Sequence, residues 1–191
     1  MRPSLTASIP ALVAAAFVLP LAACNNGPSV SATNASTKEV AEKVAAVNGG
    51  GAMIEPGRWE GTMTMHEMDM PGLPPEVKAQ MKKQLSTAHS FVNCVTEEDV
   101  KNQKALYTGD DKSCKYDHFT LGGGKIDAAM TCNRGDGGKM AMAMTGDYSS
   151  GSYHMDMNTK AEGAGPMGSM TMKMSVDAKR VGACRGTKDE H

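Results

Sequence analysis

The chain has 191 residues, 20 Lys and Arg against 21 Asp and Glu, 17 Met, 21 Gly and 9 Pro, with one Trp, four Tyr and three Phe. A net charge of −1 gives no long-range field to steer a phosphate polymer, and so few aromatics offer little platform for stacked bases, which argues against a nucleic-acid partner. The length suits one modest domain with a real core, and the Gly and Pro content falls short of collagen-like or wholly disordered chains.

Residues 1–23 read as a secretory signal: Arg2, an apolar stretch from about Ile9 to Leu21, then Ala22 and Ala23 before Cys24. The run is shorter than the roughly 20 residues a membrane-spanning helix needs, and Pro10 and Pro20 bracket it. Leu21-Ala22-Ala23-Cys24 resembles the bacterial lipobox. The resemblance implies a mature chain starting at a lipidated Cys24 and anchored without crossing the bilayer. Asn25, where Asp often signals inner-membrane retention, tilts the expectation toward the outer membrane, with the domain in the periplasm of a bacterial cell envelope.

Residues 24–55 read as a lipidated N-terminus and flexible tether. One short helix, Thr37 to Val47, has Val40, Val44 and Val47 on one face and is marginal if it stands alone. From 56 to 185 alternation takes over. Trp59, Gly61, Met63 and Met65 share one face of a strand. The pattern recurs at Ile126 to Cys132, Met140-x-Met142-x-Met144, Tyr153-x-Met155-x-Met157 and Met170-x-Met172-x-Met174-x-Val176, with glycine-rich turns between. Two helices interrupt the early strands: one opened by Pro74-Pro75 and running to about Ala88, and one over Val100 to Leu106 behind a capping-box variant, Thr96-Glu97-Glu98-Asp99. The expected fold is mainly β, a curved antiparallel meander of about seven strands with a closed barrel as its limit, ending in a polar tail at 186–191.

Beyond Cys24, Cys94, Cys114, Cys132 and Cys184 are an even set in an exported chain, a disulfide framework with three possible connectivities. The preferred one is Cys94 to Cys114 with Cys132 to Cys184. It closes loops of 21 and 53 residues, contributing about 3 and 4 kcal/mol by loop entropy. A four-Cys zinc site is disfavoured, since no pair has C-x-x-C spacing.

Pro56-Gly57-Arg58-Trp59-Glu60, the Met70-Pro71-Gly72 loop, Cys94-Val95-Thr96-Glu97-Glu98-Asp99, Ser113-Cys114-Lys115, Met130-Thr131-Cys132, the Tyr148 to Tyr153 hairpin and Arg180 to Cys184 together resemble domain-of-unknown-function family 3617. The resemblance spans about residues 53 to 185. It implies an exported Met-rich protein of Gram-negative bacteria. The family has no established activity, so no catalytic residue carries over.

Sixteen Met remain after the signal, with Leu at only four positions, so Met is the main large apolar side chain. Most fit a core, where a flexible thioether fills irregular gaps. Thioethers also suit Cu(I) or Ag(I). The densest candidate metal set is Met63, Met65, Met68 and Met70, with His66 as a supplementary ligand, and His154-Met155-Asp156-Met157 is a second. Along one strand i and i+2 lie about 7 Å apart, and both His would face away from the neighbouring Met, which weakens a single-strand site. The Met-rich later strands could instead line an apolar ligand site. His89, His118 and His191 read as isolated surface or tail imidazoles. No G-x-S-x-G, H-E-x-x-H or Walker lysine is present, and Asp110, Asp111 and Asp136 read as turn residues. The sequence therefore points to a non-enzymatic binding or scaffolding module with the membrane, an apolar ligand or an envelope protein as partner.

Overall fold

The computed structural model describes residues 29–47, 54–85, 88–101, 112–135, 137–163, 168–188 and 190. The signal segment, Cys24, Asp110, Asp111, Asp136, His191 and the part of the second helix expected beyond Lys101 lie outside them. Eight strands form one antiparallel sheet: β1 (Val30–Ser36), β2 (Gly57–Asp69), β3 (His89–Val95), β4 (Cys114–Gly122), β5 (Lys125–Asn133), β6 (Lys139–Ser149), β7 (Ser152–Glu162) and β8 (Ser169–Gly182). Three short helices join them: α1 (Thr37–Val47), α2 (Pro75–Leu85) and α3 (Glu97–Lys101).

The strand order is β1-β4-β5-β6-β7-β8-β2-β3. The meander expected from the glycine turns is the run β4 to β8. β2 then pairs with the far side of β8, β3 lies outside β2, and β1 flanks β4 at the other end. β1 and β3 do not pair with each other, so the sheet curls without closing. No helix among the described residues is long and apolar enough to cross a membrane.

Residues 30–47 are not a tether. The expected helix has the expected bounds, but it follows a strand and is sequestered: Val40 and Val44 pack with Val30, Ala32 and Ala35 of β1 and with Phe119, Leu121, Ile126, Ala128 and Met155. An eleven-residue helix that is marginal alone is stable here because burying its apolar face supplies what local propensity does not. β1 escapes an alternation search because its phase slips. Ala32 and Ala35, three apart, are both buried, and between them Asn34 has φ 51°, in the left-handed region that Asn tolerates better than most residues. Asp117 forms the matching irregularity in β4.

α3 starts at Glu97, directly behind the Thr96 cap and three residues before the expected Val100. The Asp99 amide donates to Thr96 Oγ1 at 3.0 Å and the Thr96 amide donates to Asp99 Oδ2 at 3.1 Å, so Asp performs the reciprocal role usually held by Glu. The C-terminal segment is likewise tied down. The Glu190 carboxylate accepts hydrogen bonds from the Arg185 and Gly186 amides and from the buried Arg58 guanidinium at 2.9 Å.

Candidate functional site

Strand register places the methionines on one face of the sheet. Met65 of β2 is opposite Met174 of β8, Met174 is opposite Met157 of β7, and Met157 is opposite Met144 of β6. One step along, Met68 faces Met172, and further across the sheet Met142 faces Met130. Direct cross-strand partners have Cβ atoms about 4.5–5.5 Å apart, closer than i and i+2 on one strand, so the thioethers are nearest neighbours between strands rather than along them. The sequence shows each strand's Met run but not which runs lie side by side.

The β2 set also needs a device the spacing only hints at. Met65 and Met68 are three apart, and in a regular strand they would point to opposite faces. A bulge at His66 resolves this: Met65 pairs with Met174 and Glu67 with Lys173, leaving His66 as the extra residue and returning Met68 to the face of Met63 and Met65. The His66 ring turns to the other face, where Nε2 lies 2.7 Å from Ser175 Oγ. Ser175 is 6% exposed, so this contact fastens β2 to β8 across the bulge. His66 is thus not gathered with the methionines. Met70 lies beyond the end of β2, buried in the turn whose Met70 carbonyl accepts from the Leu73 amide.

Among the other face residues, Met130 and Met155 are buried, while Met65, Met68, Met142, Met144, Met157, Met172 and Met174 are half-buried. Met63 is 37% exposed. α1 packs on β1 and β4 and α2 on β2, whereas Met142 and Met144 of β6, Met157 of β7 and Met172 and Met174 of β8 keep partial access to solvent. The second candidate cluster is divided by the pleat: Met155 enters the core and Met157 the Met face, while His154 and Asp156 stand opposite.

That opposite face is polar. His154 bridges two strands, Nδ1 lying 2.7 Å from Asp177 and Nε2 3.3 Å from Asp156. The hydrogen bond with Asp177 leads in holding its pKa above the usual 6.5; burial opposes it, and the Asp177 charge and Asp156 add to the rise. His118 makes a similar contact with Asp127 at 2.9 Å. An open groove of about 780 Å³, whose lining mixes Phe91, Val92, Tyr148 and Tyr153 with His154 and Asp177, has no methionine among its described lining residues. Trp59 and Tyr153 stack at 5.7 Å near one end of the apolar face, and burial raises the Tyr153 pKa.

The cysteines pair, but not in the preferred way: the bridges are Cys94–Cys184 and Cys114–Cys132. Cys114 and Cys132 are direct cross-strand partners on β4 and β5. Cys94 faces Arg58 of β2, which itself pairs with Gly182, so the β2 position between β3 and β8 brings Cys184 to Cys94. The preferred connectivity assumed chain order, which β2 breaks by pairing with the last strand. Cys94, Cys184 and Glu190 also present atoms within 4.8 Å of one another, but the two sulfurs are committed to the bridge.

Residues 54–184, more than half of the chain, match the family model described as protein of unknown function DUF3617, and the chain belongs to that family. Neither a curated protein nor a solved structure matches it.

Proposed function

We propose that this member of the DUF3617 family is a non-enzymatic binding module of the bacterial envelope, held at the membrane surface by lipid on Cys24 with its domain in the periplasm, the outer membrane favoured. The lipobox-like end of the leader supports the anchor, and the two disulfides fit an oxidising compartment. The ligand favoured is a soft monovalent cation, Cu(I) or Ag(I), bound by thioethers. One observation carries this reading: Met65, Met174, Met157 and Met144 are direct neighbours across four strands and are half-buried. A second reading, an apolar ligand on the same face, draws on Met63 at 37% exposure and on the adaptability of methionine surfaces.

The test is NMR of the full chain in mild detergent, with its methionine methyl groups labelled. Under anaerobic conditions, Cu(I) buffered at sub-micromolar free concentration is expected to move the methyl signals of the exposed Met rows while leaving Met130 and Met155 in place. Movement with a long-chain fatty acid and none with Cu(I) would replace the metal reading with the apolar one. No movement with either would remove both ligands and leave scaffolding through protein partners.

A further inference from the structure

We infer that the ion is held between β2 and β8, by Met65 and Met68 of one strand and Met172 and Met174 of the other, rather than by the methionine run of β2. This rests on the metal reading above and assigns its ligands.

The argument starts from spacing. Cu(I) needs several soft donors converging on one point, and a single strand offers one side chain per face every 7 Å or so. Two adjacent strands offer a two-by-two array, and the Met65–Met174 and Met68–Met172 pairs are successive on one face. The bulge brings this about. By placing His66 as an extra residue it restores Met68 to the face of Met65, so that the two pairs follow each other on one face of a locally bent strand. Each side chain ends in a flexible, polarizable thioether able to turn inward. All four are half-buried, which shields an ion from bulk water while leaving a path of entry. The surroundings suit a low-charge ion. Met157 and Thr159 of β7 are the next partners of Met174 and Met172, whereas the Lys173–Glu67 ion pair and the His66–Ser175 contact lie on the opposite face. The site takes a monovalent thiophilic cation and offers nothing to Mg²⁺ or Ca²⁺, which require oxygen donors.

The deciding variant lies on β8, where a β2 cluster and the inter-strand site disagree. Leu replaces Met with little change of volume, so Met172→Leu with Met174→Leu removes two sulfurs and keeps the apolar face. The full chain, checked for an unchanged thermal transition, is titrated anaerobically with Cu(I) against a chromophoric competitor. The double variant is expected to weaken binding at least about a hundredfold, while Met130→Leu with Met155→Leu binds as the parent does. X-ray absorption of the loaded parent is expected to show a sulfur-only shell. Failure of the parent to bind Cu(I) would overturn the metal reading and the site together. Parent-like binding by the β8 variant, or nitrogen in the shell from His66, would overturn the site alone.

Discussion

His154 shows how a residue unremarkable in sequence acquires a defined role once its neighbours are known. Its ring lies between carboxylates on its own strand and on β8, and protonation lets both ring nitrogens donate. Because its folded pKa is raised, the contribution is fully present below the ordinary value near 6.5 and is lost as pH rises through the higher folded value. NMR titration is expected to give a midpoint above that of a model peptide, falling toward it in Asp177→Asn. A midpoint unchanged by that substitution would refute the assignment. The histidine itself is visible in the sequence, as is its alternation away from Met155, but Asp177 lies 23 residues away and only strand pairing brings it near.

At the scale of elements, what the sequence yields depends on whether the signal is local. The bounds of α1 follow from the spacing of Val40, Val44 and Val47, and α3 is announced by Thr96 and Asp99. The strands from β5 to β8 follow from alternation. β1 is hidden because Asn34 interrupts its period, and the worth of α1 is hidden because its burial depends on Phe119, Leu121 and Ile126, far along the chain. Val40 and Val44 are each 4% exposed, and full burial of such a side chain is worth about 1.5–3 kcal/mol. Val44→Asp should therefore lower stability by at least about 3 kcal/mol, since it also forces a carboxylate against the apolar face. Urea denaturation checks this, and a midpoint equal to the parent's would mean that residues 30–47 contribute nothing to the fold.

For the whole molecule, the decisive fact beyond reach of the sequence is that β2 pairs with β8. That single adjacency places Cys184 on Cys94, Met174 beside Met65, and Arg58 against the Glu190 carboxylate. The bridges should then differ in strength. Cys94–Cys184 spans 90 residues and Cys114–Cys132 spans 18, so loop entropy assigns them about 4.5 and 3 kcal/mol. Replacing each pair by Ser and comparing chemical denaturation should give the larger loss for the first, with peptide mapping of the parent returning these two linkages. A greater loss from the shorter loop would show that local strain or residual unfolded structure outweighs chain closure.

Because β1 begins at Val30, little chain is left between the ordered sheet and the proposed lipid on Cys24. Residues 25–29 reach at most about 18 Å even fully extended, less than half the thickness of a bilayer with its headgroups. Held by the proposed lipid on so short a leash, the protein would not sample the depth of its compartment. Under the proposed lipidation it would drift in two dimensions with its β1 end toward the lipid, and whatever it receives would have to be brought to the membrane.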